Sequence, residues 1–340
     1  MKYLFILLPI VCLLLQGCEQ ELPLPPNKAV PKAVVYSELV ANNIAEVRVG
    51  KSKPVGPGVD NSFEMVTDAD VQLTDKNGQV LETLGYVKDP NNNMGVYQGK
   101  NKLDPSRPYK VQVMVPGMKP VTATAAIPPP FRVDLKDTLR TLLNGRPVLR
   151  FNFTVYPLPG VRQYLVMEAL KQSVTVDTSF TYQGVRYRKS ENEALYEQVK
   201  NRPDIKAKKD SFFLNDYLRI PCYTQDENAD NNQIGGLNEN YNSILFTQMG
   251  KPLSTYFYIN ATALSSNPAE AIAPVGRVLV YVKSVSREYY DFLLTYEKVK
   301  RNPGLNSLIQ AIQLRSNTQG GLGIVGGCFQ KLYYLYYDTL

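Results

Sequence analysis

Three residue types here could do chemistry: cysteine, the carboxylates and tyrosine. Histidine is absent from all 340 positions. Its absence removes the commonest general base, the Ser-His-Asp arrangement and most zinc sites. Hydrolysis by two carboxylates, as in glycoside cleavage, stays open because it needs only two acids at a suitable separation. Glu168, Asp216 and Glu239 are candidates, but no spacing pairs them, and ordinary surface acids are the plainer expectation. The segment Asp226-Glu227-Asn228-Ala229-Asp230-Asn231-Asn232 puts oxygen-bearing side chains on alternate residues, as a calcium loop does. An EF-hand needs Gly sixth and Glu twelfth, where this chain has Asn231 and Leu237, so a polar loop is expected. The run Gly320-Gly321-Leu322-Gly323-Ile324-Val325-Gly326-Gly327 lacks the Lys-Ser/Thr of a phosphate loop and any βαβ setting. A tight turn or bulge beside the strand of Cys328 is expected instead. Tyr256 and Tyr258 share a strand face, and Tyr333, Tyr334, Tyr336 and Tyr337 cluster near the end. Such rings can stack on sugars or anchor interfaces, but in a protein without Trp they are first of all core filler. No catalytic residue, cofactor site or metal site is assigned.

The thiols are more telling. Cys12 lies inside the apolar run Leu4 to Leu15, which follows Lys2 and ends in Leu15-Gln16-Gly17-Cys18. About a dozen residues at ~1.5 Å each span roughly 18 Å, short of the ~30 Å bilayer core, so residues 1–17 read as a secretory signal. A small residue just before Cys18 resembles the lipobox of bacterial lipoproteins, whose cysteine is diacylated and becomes the mature N-terminus. The alternative is an ordinary signal cleaved nearby, with Cys18 incidental. Several acyl chains at ~0.8 kcal/mol per buried methylene hold a protein at a bilayer almost permanently. Glu19-Gln20-Glu21 resembles the surface-export signal of Bacteroidota lipoproteins. Leu22-Pro23-Leu24-Pro25-Pro26 then favours extended backbone, so residues 18–32 are expected to be a stiff tether. Cys222 and Cys328 remain, an even pair in an oxidising compartment, and a disulfide between them is expected. It would close a loop of about a hundred residues and contribute ~4 kcal/mol. Two buried, unpaired thiols are the alternative.

These residues must be positioned by a β-rich body. Residues 33–130 predict an immunoglobulin-like β-sandwich. Tyr109, Val111, Val113 and Val115 sit two apart on one face, and Asp75-Lys76-Asn77-Gly78 predicts a hairpin turn. Residues 131–340 predict a larger β-rich domain with one or two helices. Strands are expected at Val148 to Tyr156, Tyr164 to Leu170, Ser173 to Tyr182, Ser211 to Arg219, Thr255 to Asn260, Arg277 to Val285 and Lys331 to Tyr337. A short helix is expected at Asn192 to Lys200, inside a basic surface excursion running to Lys209. Ser286 is expected to cap a second helix, whose Tyr289, Phe292, Leu293 and Tyr296 share a face and which Pro303-Gly304 stops. The formal charge is +7, with basic residues scattered, so nucleic acid is not an expected partner.

Three landmarks occur together: V-Q-L-T-D-K-N-G with the later G-V-Y, Y-K-V-Q-V and I-P-P-P; Ile234-Gly235-Gly236-Leu237-Asn238-Glu239-Asn240 beyond Cys222; and V-K-S-V-S-R-E-Y-Y-D-F-L before the glycine run. In this order they resemble the Bacteroidota lipoprotein family known as domain of unknown function 4249. The resemblance implies a lipid-anchored, cell-surface outer-membrane protein, without established catalytic residues, accessory to a TonB-dependent transporter in ligand capture or uptake. A surface adhesin or structural envelope component, suggested by the sandwich, and a carboxylate-based glycan hydrolase are the alternatives.

Overall fold

The computed structural model describes residues 30–53, 64–88, 95–105, 107–235, 239–260, 275–301 and 314–338. Cys18, the signal, most of the tether, the loop at 89–93 and the Pro303-Gly304 stop lie outside them. Among the described residues the chain is mainly β with two α-helices. No described helix is long and apolar enough to cross a membrane.

The N-terminal strands are β1 (Ala33–Val40), β2 (Ile44–Lys51), β3 (Glu64–Met65), β4 (Asp70–Thr74), β5 (Val80–Val87), β6 (Val96–Lys102), β7 (Pro108–Met114) and β8 (Val121–Ala126). Alternation decides what they bury: Tyr109, Val111, Val113 and Val115 all point into one core, with Val35, Leu39, Val47 and Val49. The Asp75–Gly78 turn links β4 to β5, and Gly78 takes a φ of +88°. Asp75 Oδ1 accepts from the amides of Asn77 (2.8 Å) and Gln79 (2.9 Å), so an Asp-centred loop forms there instead of a two-residue turn. Two-residue turns with both φ values positive occur elsewhere, at Asn144-Gly145 (52° and 77°) and Gln183-Gly184 (50° and 77°).

Those turns join β9 (Arg132–Leu143) to β10 (Arg146–Tyr156) and β11 (Gln163–Tyr182) to β12 (Val185–Arg188). Next come α1 (Glu193–Val199), β13 (Ala207–Ile220), β14 (Cys222–Tyr223), β15 (Ile244–Gln248), β16 (Leu253–Ile259), β17 (Val275–Val285), α2 (Arg287–Arg301) and β18 (Leu322–Asp338). Lys208 and Lys209, expected on a surface excursion, instead pair with Ser179 and Thr178. The reason is the length of β11: it runs for 20 residues, and its outer part takes β13 as a partner.

A 14-stranded sheet runs β12-β11-β17-β18-β1-β2-β6-β5-β4-β7-β8, with β13 and β15 also on β11 and β3 on β2; a second sheet is β14-β16-β10-β9. The two ends of the body meet where β18 pairs in parallel with β1, from Val34↔Leu322 to Val40↔Cys328. Gly320 and Gly321 form the expected bend, with Gly320 at a φ of +84°, and from Leu322 the run is the start of a strand whose lack of side chains has a packing cause. A Cβ on Gly323, which has a φ of +116°, would stand 1.9 Å from the Val35 carbonyl, and one on Gly327 would stand 2.0 Å from that of Ala126. The strand is thus held between β1 and the returning β8, and Gln319 just before it forms a bridge with Thr122 of β8.

Three apolar clusters result. The strands β1–β8 enclose the first, completed by Val325 from the far end of the chain. The second lies between the small sheet (Phe151, Phe153, Phe257) and one face of the large one (Leu165, Met167, Val280, Val282). The third lies on the opposite face, where α2 packs over β1, β11, β17 and β18.

Candidate functional site

The third cluster is incomplete, and charge occupies the remainder. Alternation puts Val278, Val280 and Val282 of β17 into the inter-sheet core and sends Lys283 with Val285 toward α2. The same parity sends Glu168 of β11, beside Val166, and Tyr36, Glu38 and Val40 of β1 to that side. Gly326 and Cys328 carry little bulk on the intervening β18, so the Lys283 side chain reaches across it to β1.

Lys283 is 9% exposed. Its Nζ stands 2.8 Å from Glu168 Oε1 and 3.0 Å from Glu38 Oε1, with a hydrogen bond to Glu38 Oε2 at 3.3 Å. Arg219, at the end of β13, donates Nη1 to Glu168 Oε2. Burial raises the Glu168 carboxyl, but Lys283 and Arg219 outweigh it and hold the group below its ordinary value. Burial likewise opposes the Lys283 ammonium, and the two glutamates more than reverse this, lifting it above the usual lysine value. Tyr36 and Tyr289 join hydroxyls at 2.9 Å, and Tyr289 donates to Glu38 Oε2 at 3.4 Å. Burial, reinforced by Glu38, pushes the Tyr289 phenol well above its normal value.

Over this floor lies α2. Ser286 stands immediately before the helix, its carbonyl accepting the Tyr290 amide (2.9 Å); its own amide donates to the Gly327 carbonyl (2.8 Å) and its hydroxyl accepts the Gly327 N–H at 3.3 Å, tying the helix start to β18. Tyr289 packs on Gly326, where a Cβ would stand 2.4 Å from the ring. Phe292 stacks with Tyr289 at 6.2 Å (10° between planes) and with Tyr296 at 6.1 Å (12°), making one aromatic face from the expected stripe. Glu297 is 4% exposed; burial raises its carboxyl, against the lowering pull of Lys300, Arg219 and Arg301. Floor and helix border a cleft of about 440 Å³, reached also by Asn242 and Ser243.

The segment with calcium-loop spacing supports this helix and its surroundings through side-chain hydrogen bonds. Asp230 accepts from Thr247 Oγ1 (2.8 Å) and from the Tyr290 hydroxyl, so it anchors the first turn of α2. Asn231 is fully buried, donating to Ser243 O (2.9 Å) and accepting the Leu245 amide (2.6 Å). Asp226 receives the amides of Asn228 (3.0 Å) and Ser254 (3.1 Å). Among the described residues no group of three or more His, Cys, Asp or Glu is placed to hold a metal ion.

The other sequence candidates separate. Of the three acids, Glu168 joins the cleft, Asp216 accepts from Ser173 on the exposed β11–β13 surface (2.7 Å), and Glu239 pairs with Arg301 at 3.7 Å. Cys222 and Cys328 are free thiols, so the expected disulfide is not formed. Cys222 lies in the inter-sheet core and Cys328 on the α2 face, so the large sheet stands between them. Burial pushes the Cys222 thiol up to about 12, and burial with Glu38 raises that of Cys328 well above normal, so both are poor nucleophiles. Tyr256 is packed between the Arg150 guanidinium, 3.7 Å from its centroid, and Tyr223, stacked at 5.6 Å. Lys283, Glu38 and Arg219 escaped the sequence reading. Their one signal was a charged residue in an otherwise apolar strand, as in Val282-Lys283-Ser284-Val285.

None of the curated proteins compared with the chain matches it. The segments that build the cleft, from β1 through the Ser286 helix, nevertheless fall within one continuous family match. Residues 19–332 fit the family described as a domain of unknown function, DUF4249, and the chain belongs to that family.

Proposed function

We propose that this protein is a non-catalytic lipoprotein of the outer-membrane surface, lipid-anchored through Cys18, that captures a ligand in the α2 cleft as accessory to a TonB-dependent transporter. The observation that carries the capture reading is the cleft itself, an opening of about 440 Å³ floored by a buried ion network. Burying charges costs several kcal/mol per ion before pairing, and buried ionic networks beside a cleft are commoner at functional sites than in plain cores. The anchor rests on the Gly17-Cys18 junction and the transporter on the family resemblance. Lipid confines the body to one surface and raises its effective concentration near a membrane-embedded partner.

One observation favours the hydrolase alternative: Glu297 is shifted up and Glu168 down within one cleft, the split that acid–base pairs show. Against it, both oxygens of Glu168 are engaged, one by Lys283 and one by Arg219, leaving neither free to attack or to activate water.

The test is crosslinking in intact cells followed by affinity purification of the tagged lipoprotein. A transporter barrel should copurify and should be lost with Cys18→Ala, which should also abolish fatty-acid labelling. Purification that never enriches a barrel, or Cys18→Ala protein still held in the envelope, would overturn the reading. Glycoside hydrolysis abolished by Glu297→Gln would overturn its non-catalytic part.

A further inference from the structure

The chemistry of the cleft narrows what it can capture. Its ionisable lining balances: three carboxylates (Glu38, Glu168, Glu297) face three cations (Lys283, Arg219, Lys300). An anionic ligand would bring its charge against the carboxylates. A cationic ligand would compete with an ammonium already in place, because Lys283 bonds both Glu38 and Glu168. Lys300 crowds the outer end as well, its Nζ 5.1 Å from the Tyr296 centroid. The field therefore favours neither sign, whereas the same groups are strong, fixed hydrogen-bond donors and acceptors for neutral hydroxyls. Opposite them stands an aromatic strip, the exposed ring of Tyr296 beside the half-buried Phe292, with the buried Tyr289 behind them.

A ligand matching both walls has an apolar flat face and a periphery of uncharged hydroxyls. We propose that the α2 cleft is a carbohydrate site for a neutral oligosaccharide, with a sugar ring face laid on the aromatic surface of α2 and its hydroxyls on the charged floor. This rests on the capture reading and gives it a ligand class. The volume, about 440 Å³, lies within the roughly 300–1,000 Å³ usual for small-molecule sites. The depression also continues past one wall. Glu38 lines two adjoining hollows of about 210 and 340 Å³ over β1 and β2, where Glu46 borders both. A ligand of more than one ring can therefore extend from α2 across Glu38 toward Glu46.

The test uses the full lipoprotein in detergent on an array of neutral, anionic and cationic oligosaccharides, with trialanine titrated by calorimetry as the peptide probe. Neutral oligosaccharides of two or more rings should be retained. Tyr296→Ala should weaken them by roughly tenfold. Tyr296 is 39% exposed, so the melting temperature should hold within a degree or two of wild type and serves as the folding control. Retention of only charged glycans, binding of trialanine alone, an empty array, or unchanged affinity in Tyr296→Ala would each overturn the assignment. The barrel copurification is read separately: sugar binding without a barrel removes the transporter and leaves the ligand class, and a barrel without sugar binding does the reverse.

Discussion

The two faces of the large sheet solve burial in opposite ways. Toward the small sheet the buried surface is mainly apolar: Phe257 stacks on Phe151 at 5.1 Å and on Phe153 at 5.9 Å, and all three are essentially without solvent contact. Toward α2, the same strands bury Lys283 against Glu38 and Glu168 and leave an open cleft beside them. Apolar burial at about 25 cal/mol per Å² stabilises without directional demands, whereas a buried charge is tolerated only while each partner stays in place. One face therefore holds the fold together. The other trades stability for fixed polar groups at a cleft.

The comparison can be broken most severely at the strand both faces share. Gly327→Val puts a branched side chain where even a Cβ would meet the Ala126 carbonyl at 2.0 Å, with Ile127 N at 2.9 Å. Backbone on both sides cannot yield without parting β18 from β8, so a loss of more than about 4 kcal/mol is expected. It would be seen as absence of folded protein in a chymotrypsin-resistance assay. A normally protease-resistant variant would mean that the closure of β8 on β18 is looser than described. Next in size is Phe257→Ala in the apolar core, expected to cost about 4 kcal/mol by urea unfolding. No single second substitution should restore it, because the cavity is bordered by the fixed, buried rings of Phe151 and Phe153.

Much of this architecture was legible in the sequence, and the failures share one cause. Local alternation identified Tyr109 to Val115 as a buried face, and helical spacing found the Tyr289–Tyr296 stripe. What could not be read was long-range pairing. The glycine run suggested only a turn because the reason for its strand, the approach of β1 and β8, comes from residues some two to three hundred positions away. Lys208 and Lys209 resembled a solvated excursion because only the length of β11 makes them a strand. The pairing of Cys222 with Cys328 was inferred from parity and compartment, neither of which reveals that a sheet stands between them. Glu168 was named as a candidate acid, but Lys283, Glu38 and Arg219 come from three other strands and share no sequence window with it.

Lys283→Met sharpens the contrast with Phe257. It leaves Glu38 and Glu168 facing each other with only Arg219 near, and about 3 kcal/mol should be lost. Here a rescue exists: adding Glu38→Gln and Glu168→Gln removes the stranded charges and should recover most of that loss, because the remaining groups are neutral. Failure of the triple variant to recover would show that Lys283 acts through packing, like a core residue. The pH dependence follows from the shifts. The stabilisation from Glu168 is complete above its ordinary value of 4.5 and is lost as pH falls through its lowered folded value. That from Lys283 is complete below 10.5 and is lost as pH rises through its raised folded value. Wild type should therefore keep this contribution across the neutral range, and the triple variant should show a flatter acid limb in urea melts taken below pH 5.

The smallest expected effect comes from Glu297, whose shift has the opposite sign to that of Glu168. Its carboxyl is raised in the folded state by burial, so between 4.5 and that raised value the folded protein holds a proton that the unfolded chain has released. Stability contributed by the protonated form therefore declines as pH rises through this window, and above it the buried carboxylate is a net cost. Glu297→Gln keeps the shape, removes the ionisation, and should slightly stabilise the protein at pH 7. Melting temperatures of the two proteins should converge as pH is lowered toward 4.5, where wild-type Glu297 becomes neutral. If the substitution instead destabilises at pH 7, with the deficit fading as the pH falls, the carboxylate is held by Lys300, Arg219 and Arg301 as a structural ion. The α2 face would then be a charged core with the same purpose as the apolar one, with no cost retained for binding.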